Sequence, residues 1–355
     1  MQGSPSRKGS AWTWAVAALP LLFAACALGP KRHQTHLMGP FDTITVLMAY
    51  SKSEKDFNKY ADTVFARLEA LHRMYDIFNE YNGLNNIRTI NANAGIAPVE
   101  VAQEIIDMLL AAREAYALTG GVTNAAMGPV LRIWHDHRLR GIADPENASL
   151  PSMSALREAA ERTSMDNVVI DKNMRTVFLR EAGMSLDVGS IAKGYAAELA
   201  LEAAREAGLG SALLSVGGHV VALGTPPGRG HWKVAVQNPE AALEGEPDTV
   251  DILSLTDATV SISGAYQRFY VVDGQAFGHV IDPKTLMPAN SYKQVAVVHP
   301  KSWMADALST ALFVLPPDEG KALAAATGAE AFWIDRSGKR FATPGYARLS
   351  SFVEQ

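Results

Sequence analysis

Two polar side chains in the apolar segment 303–312 could together hold a metal ion. In a helix, Asp306 and Thr310 would lie one turn apart on the same face. A carboxylate and a hydroxyl are hard oxygen ligands, which suit Mg²⁺ better than Zn²⁺. The same pair could instead be a helix-capping aspartate followed by a threonine that faces the core. The spacing alone leaves both interpretations open.

A second segment has the pattern of an anion site. Residues 185–196 read Ser-Leu-Asp-Val-Gly-Ser-Ile-Ala-Lys-Gly-Tyr-Ala, which predicts a strand, a Gly-Ser turn and a helix with Lys193 in its first turn. Free backbone N–H groups at a helix start, together with a lysine, can bind phosphate. The spacing is not that of a Walker loop, because no Ser or Thr follows the lysine. A plain helix start with a solvated lysine is the competing interpretation.

A histidine beside a turn is the third candidate. Residues 278–285 read Gly-His-Val-Ile-Asp-Pro-Lys-Thr, so His279 precedes a predicted turn that begins at Asp282. Histidine is the usual proton acceptor near neutral pH, and Asp282 is the next candidate. The alternative is a structural histidine that is hydrogen-bonded to the turn.

The elements that position these residues alternate between strands and amphipathic helices. Apolar residues at helical spacing predict helices, and alternating residues predict strands. The segment 141–151 is predicted to be a surface loop. Hairpin-like strands with packed helices indicate an α+β fold that forms one continuous catalytic unit. The predicted helices span 53–76, 101–118, 191–207, 305–314 and 319–326, and the predicted strands lie near 44–48, 168–170, 176–179, 213–216, 220–223, 232–236, 250–255, 259–263, 269–272 and 295–298.

Composition excludes several classes of protein. The 355 residues are 48% hydrophobic and 19% charged, which is typical of a folded protein and not of a disordered one. The 32 basic and 37 acidic residues give a net charge of −5, and no basic run with interleaved aromatics suggests nucleic-acid binding.

The N-terminus resembles a secretory signal. Arg7 and Lys8 precede an apolar run over 11–25, which ends in Ala24-Ala25-Cys26. This pattern predicts a lipoprotein signal peptide over 1–25, lipid attachment at Cys26 and a tether over 26–35. We expect an exported, membrane-anchored lipoprotein on the periplasmic side of the inner membrane or at the cell surface. An uncleaved anchor is the alternative.

Seven segments, taken in order, resemble the ApbE family of flavin transferases. That resemblance implies an FAD cleft and a catalytic domain over 36–355. It also implies that FAD is the substrate and that Mg²⁺ assists transfer of FMN to a threonine or serine of a target protein, with AMP released. The matching segments are Met38-Gly39, Thr123 to Leu131 with Trp134, Leu186 to Tyr195, Ser215 to Gly218, Ser263 to Tyr266, His279 to Pro283 and Ala305 to Leu312.

The resemblance also assigns roles to residues. It places Asp306, Thr310 and the backbone oxygen of Ser190 on the metal, and His279 as the candidate base. The FAD contacts that it implies are Met38, Tyr75, Thr123, Asn124, Ala125, Asp187, Lys193 and Val280. The chain departs from the family pattern at Pro40, Asn124, His219, Ala265 and Leu286, of which Leu286 stands where the pattern has glycine.

The expected partner is a target protein, by resemblance a subunit of a membrane electron-transport complex such as the Na⁺-pumping NADH:quinone oxidoreductase. Two other functions stay open. An FAD pyrophosphatase would use water in place of the hydroxyl and give FMN and AMP. A non-catalytic flavin-binding lipoprotein would lack the chemistry altogether.

Overall fold

The computed structural model describes residues 29–241, 247–264, 266 and 268–351. The predicted signal peptide, the lipidation site Cys26 and the family-pattern position Ala265 lie outside the described residues.

Helices form where the sequence combines a capping residue with apolar residues at helical spacing. The Ser53 side chain accepts a hydrogen bond from the Asp56 amide at the start of α1, and the apolar residues of that helix face the core. Short 3-10 turns lie at Pro40–Asp42, Ala125–Met127, Pro145–Asn147 and Met165–Asn167. The α-helices of the described part are α1 (Glu54–Tyr75), α2 (Ile87–Ala92), α3 (Gln103–Leu118), α4 (Gly128–Ala143), α5 (Met153–Ala160), α6 (Ala192–Glu206), α7 (Ser302–Val314), α8 (Pro317–Thr327) and α9 (Pro344–Leu349).

The strands are antiparallel wherever they pair. They are β1 (Lys31–Met38), β2 (Ile44–Ser51), β3 (Val99–Glu100), β4 (Val168–Asp171), β5 (Thr176–Leu179), β6 (Ala212–Val216), β7 (His219–Leu223), β8 (Trp232–Gln237), β9 (Thr249–Leu255), β10 (Ala258–Gly264), β11 (Phe269–Val272), β12 (Gln275–Gly278), β13 (Tyr292–His299), β14 (Glu330–Asp335) and β15 (Arg340–Ala342).

One eight-stranded sheet organises the molecule, with the strand order β1-β2-β6-β7-β10-β13-β14-β15. Smaller sheets are formed by β3-β5-β4, by β8-β9 and by β11-β12. Because the large sheet takes strands from both ends of the described chain, the predicted α+β fold in one continuous unit is confirmed.

The two faces of the large sheet are covered differently. Helices α1, α6 and α7 pack on one face, where β13 contributes Val295 and Val297. The other face is covered by the β8-β9 hairpin and α9, where β13 contributes Ala296 and Val298. Since successive side chains of a strand point to opposite faces, a single strand serves both cores.

Three expectations need correction. The predicted tether extends to Thr35, but β1 begins at Lys31 and pairs with β2 along its whole length. The strand predicted before the Gly-Ser turn is absent, because 184–188 carry no strand hydrogen bonds. The loop predicted from Gly141 begins later, since α4 continues to Ala143.

Helices α6 and α7 approach each other closely at Gly194. A Cβ atom on Gly194 would lie 2.6 Å from the Ser302 carbonyl oxygen and 2.7 Å from the Asp306 Cβ. Only glycine therefore allows this contact between the two helices.

Among the residues that the structure describes, no helix has both the length and the apolar character needed to cross a lipid bilayer.

We expect Gly194→Ala to lower the free energy of unfolding by about 1–3 kcal/mol, because the added methyl group overpacks the α6-α7 contact. The matched control is Gly320→Ala in α8, where the nearest side-chain atom would lie 3.5 Å from the new Cβ. That control should be neutral or stabilising by up to about 1 kcal/mol. Urea unfolding of both variants measures the difference, and equal midpoints would contradict the close approach.

Candidate active site

A cleft of about 580 Å³ opens where the start of α6, the middle of α7 and the segment 279–281 meet. It brings together residues from distant parts of the sequence. The predicted site residues that line it are Tyr75, Thr123, Asn124, Asp187, Ser190, Lys193, His279, Val280, Asp306 and Thr310.

Asp306 lies at the bottom of the cleft and is 4% exposed. Its Oδ2 accepts a hydrogen bond of 2.9 Å from the Gly194 amide at the start of α6. Its Oδ1 accepts one of 3.2 Å from the Ser261 hydroxyl on β10 and lies 3.5 Å from Lys193 Nζ. The helix predicted around it is confirmed, and Thr310, one turn later, also faces the cleft.

The oxygen atoms around Asp306 suit a hard cation. Oδ1 has only long contacts to nitrogen, 3.5 Å to Lys193 Nζ and 3.8 Å to His219 Nδ1. Within the described ranges, no three or more His, Cys, Asp or Glu side chains cluster as a metal site. The available donors are thus one carboxylate, the Thr310 hydroxyl and the backbone at Ser190. Mg²⁺ commonly takes one or two carboxylates and completes its shell with water and substrate phosphate, so these residues fit it.

The loop before α6 is held by other segments instead of a strand. The Asn91 side chain bonds both the amide and the carbonyl of Leu186, at 2.7 and 2.9 Å, and the Asp187 amide donates to the Ala125 carbonyl at 2.8 Å. Lys193 Nζ donates to the Gly189 carbonyl at 3.3 Å. The predicted helix start with an early lysine is therefore present and faces the cleft.

Asp187 is half-buried beside this loop, and its Oδ1 accepts a 2.9 Å hydrogen bond from the Gly189 amide. Burial raises the pKa of its carboxyl, while the Gly189 amide and the nearby His135 and Lys193 oppose that rise. The net effect is a raised pKa for a carboxyl that lines the cleft.

His279 lines the cleft with a buried Nδ1 that has no hydrogen-bond partner among the described residues. Burial, together with the positive charges of Arg268, Arg138 and Lys193, lowers its pKa to about 4, although a backbone hydrogen bond at Arg268 opposes the shift. The imidazole is therefore neutral at physiological pH and can accept a proton.

The carboxylate of Asp282, the alternative base, is held by hydrogen bonds within its own turn. Its carboxylate accepts hydrogen bonds from the Lys284 amide at 2.8 Å and from the Thr285 hydroxyl at 3.0 Å. Its backbone carbonyl accepts from the Leu286 amide at 2.8 Å, and Leu286 has a φ of +61°. Leu286 thus adopts the left-handed conformation that glycine adopts most readily. This explains why the family pattern has glycine at this position.

The residues predicted to contact FAD divide into two groups. Tyr75 is buried and packs edge-on against Tyr195, and the Thr123 hydroxyl donates to the Ala307 carbonyl at 2.9 Å. Both line the cleft, as do Asn124 and Val280. Two predicted residues do not: Met38 is 66% exposed at the end of β1, and Ala125 is buried behind the loop. The nearby residues Phe41, Asp42 and Thr43 do line the cleft.

Sequence reasoning did not identify Arg138, His135 and Arg268, which also line the cleft. On α4, Arg138 lies one turn after Trp134, and His135 directly follows Trp134, whose indole N–H donates to the Leu286 carbonyl at 2.9 Å. Arg268 lies next to β11. Helical spacing from Trp134 could have pointed to Arg138. Nothing in the local sequence singles out Arg268.

His219, a departure from the family pattern, is buried behind Asp306. Its Nε2 lies 2.7 Å from the Ser302 hydroxyl, and its Nδ1 faces Asp306 Oδ1 at 3.8 Å. Burial lowers its pKa to about 4, although the Asp306 charge opposes this shift. A neutral imidazole therefore forms the wall behind the carboxylate.

Known proteins resemble this chain in both sequence and structure. The FAD:protein FMN transferase of Treponema pallidum (strain Nichols) is 34% identical over 251 residues, which cover 67% of each chain. That of Escherichia coli (strain K12) is 24% identical over 353 residues, or 96% of each chain.

The ApbE protein of Thermotoga maritima MSB8 superposes with a TM-score of 0.78 and 25% identity, covering 90% of this chain and 99% of its own. The apo form of the flavinyl transferase ApbE of Pseudomonas stutzeri gives a TM-score of 0.74 at 24% identity, covering 90% and 97%, and so shares the fold. The model of the ApbE family matches residues 38–333, a stretch that contains every residue of the cleft. The chain therefore belongs to the ApbE family.

Proposed function

We propose that the protein is an FAD:protein FMN transferase. In this proposal it uses Mg²⁺ to move FMN from FAD to a threonine or serine hydroxyl of a target protein and releases AMP. The observation that carries the proposal is the convergence of Asp306, Lys193 and a neutral His279 on one cleft. The names of the curated relatives, FAD:protein FMN transferase, support the same reaction.

The cations of the cleft would bind the FAD pyrophosphate. Lys193 and the start of α6 lie on one side, and Arg138 and Arg268 also line the cleft. Positive charges stabilise phosphate oxygens most strongly where water is excluded.

Asp306, Thr310 and Ser190 would hold the metal ion. When bound, Mg²⁺ would neutralise charge on the phosphates as the phosphoanhydride bond breaks. The Gly194 amide and the Ser261 hydroxyl fix the orientation of the Asp306 carboxylate, so its position does not depend on the ion.

His279 would accept the proton of the attacking hydroxyl. The hydroxyl oxygen bonds to the FMN phosphorus, the bond from that phosphorus to the bridging oxygen breaks, and AMP leaves. A hydroxyl has a pKa far above neutrality, so proton acceptance in the transition state is worth about 10²–10⁴-fold in rate.

Mass spectrometry tests the proposed reaction directly. The purified chain is mixed with FAD, Mg²⁺ and a threonine-containing acceptor domain, and the acceptor is weighed. An added FMN mass supports transfer. Free FMN without modified acceptor would favour the pyrophosphatase, and unchanged FAD would favour a binding protein.

We also propose that the protein is exported and anchored by lipid at Cys26, with a target that is a membrane-facing electron-transport subunit. The sequence pattern of Arg7, Lys8, the apolar run and Ala24-Ala25-Cys26 supports the anchor. Two or three acyl chains hold a protein to a membrane far more firmly than one, since each buried CH₂ contributes about 0.8 kcal/mol.

Asp306→Asn should lower the rate of FMN transfer by about a hundredfold or more, because the amide keeps the shape but loses the charge that binds the metal. Titration with Mn²⁺, followed by its paramagnetic signal, should show the loss of one bound ion. The control is Asp318→Asn, an exposed carboxylate of α8 outside the cleft. Unchanged Mn²⁺ binding by Asp306→Asn would contradict the assignment of Asp306 as a metal ligand.

His279→Gln should lose about 10²–10⁴-fold in transfer rate and keep its affinity for FAD, since a base acts in the transition state. The control is His36→Gln on the exposed face of β1. An equal loss of FAD affinity would make His279 a binding residue instead of a base.

The pH profile provides a second readout for the same histidine. Because the pKa of His279 in the free protein is lowered to about 4, kcat/KM for FAD should stay level as pH falls from 7 to about 5 and decline only below that. Arg268→Gln removes a positive charge, so it should raise this pKa and move the decline to higher pH.

Cys26→Ser should abolish lipid modification and leave FMN transfer in solution unchanged. Metabolic labelling with palmitate in a bacterial host measures the modification. Label on the Cys26→Ser protein, or none on the wild type, would contradict the lipoprotein assignment.

A further inference from the structure

A second cavity of about 400 Å³, here called the side groove, lies next to the candidate active site. It runs between the β11-β12 hairpin and the segment that follows the Asp282 turn. The lining residues that matter below are Tyr266, Phe269, Phe277, Met287, Lys293 and Arg336.

The floor of the side groove is apolar and partly exposed. The Phe269 side chain is 42% exposed, and Phe277 and Met287 are half-buried. In the described part of the chain, β11 pairs only with β12, and its alternate residues Phe269 and Val271 are exposed. Exposed aromatic surface beside a cleft is typical of a recognition site.

The charge of the side groove is opposite to that of the whole chain. Lys293 and Arg336 are its charged lining residues in the described part of the molecule, and no carboxylate lines it there. The chain as a whole carries −5. Lys293 already pairs with Glu240 at 2.6 Å, whereas no ion pair is found for exposed Arg336 among the described residues. The side groove therefore favours an acidic partner.

The side groove and the cleft share their walls. Gly278 lines the groove while the next residue, His279, lines the cleft. Likewise, Phe269 lines the groove while the preceding residue, Arg268, lines the cleft. The groove and the cleft thus meet at two places where neighbouring Cα atoms are about 3.8 Å apart, beside the candidate base.

Tyr266 forms the remaining shared wall. Its ring packs so closely on Gly264 that a Cβ there would lie 2.4 Å from the ring, and Gly264 itself lines the cleft. The Tyr266 hydroxyl donates to Gln294 Oε1 at 3.1 Å, which fixes the ring against β13. The wall is therefore preformed.

We propose that the side groove binds an extended, acidic segment of the acceptor protein and directs its hydroxyl to His279. Apolar side chains of the segment would pack on Phe269, and its carboxylates would pair with Arg336. This inference rests on the proposed function, because it assigns the acceptor site of that reaction.

Two short fluorescent peptides serve as probes. Each peptide has one threonine between apolar residues. One peptide also carries Asp and Glu residues, and in the other these are replaced by Asn and Gln. Fluorescence anisotropy with the full chain measures binding, and mass spectrometry measures the FMN added to each peptide. The acidic peptide should bind more tightly, with the difference shrinking as salt is raised.

Matched pairs of variants locate the binding site. Phe269→Ala and Arg336→Glu should each weaken binding of the acidic peptide by about tenfold and leave FAD affinity unchanged. The controls are Val271→Ala, an equally exposed residue of β11, and Lys339→Glu, in the same turn as Arg336, and neither lines the groove. Both controls should bind like the wild type.

Several outcomes would overturn the inference. They are no binding of either peptide, equal binding of both, or equal effects of groove and control variants. Loss of self-association in Phe269→Ala, without a change in peptide binding, would assign the groove to a second copy of the chain. Groove-dependent binding without FMN on the peptide would leave this site in place and contradict the proposed transferase reaction instead.

Discussion

The carboxylate of Asp306 is a negative charge in the interior of the molecule, and such a charge costs several kcal/mol unless polar groups surround it. Those groups come from separate elements: the Gly194 amide and Lys193 from α6, and the Ser261 hydroxyl from β10. Helix α7 must therefore lie between α6 and the large sheet, at the position along its axis that lets Asp306 contact all of these groups. Glycine at position 194 permits the approach, and the alternation of β10 turns Ser261 toward α7.

The cations of the cleft serve two purposes at once. Lys193, Arg138 and Arg268 are placed to attract a pyrophosphate, and their charge also disfavours protonation of His279. A phosphate-binding site would thus keep its own base neutral. The bound anion would partly cancel that effect, so the proton affinity of His279 should rise when the substrate enters. Through this charge effect, substrate binding would make His279 a stronger proton acceptor.

Local sequence patterns predicted most of the helices, because apolar spacing and capping residues act over a few positions. They also pointed to Asp306, Thr310 and Lys193, which the fold brings to one cleft. Arg268 could not be found, since its place in the cleft depends on packing between distant segments. Strand β1 was missed for another reason: its Lys-Arg-His-Gln start is polar, and the strand is defined by its pairing with β2 and not by apolar alternation. The Asp282 turn shows the same limit, because only tertiary contacts reveal that its carboxylate is occupied.

The early start of β1 sets how far the molecule can reach. If Cys26 carries lipid, only residues 27–30 separate it from Lys31, the first residue of an edge strand that is hydrogen-bonded to the body of the protein. Five residue steps span at most about 18 Å. An anchored molecule would then stay close to the bilayer surface, so it could modify only those hydroxyls that a client protein presents near the membrane plane.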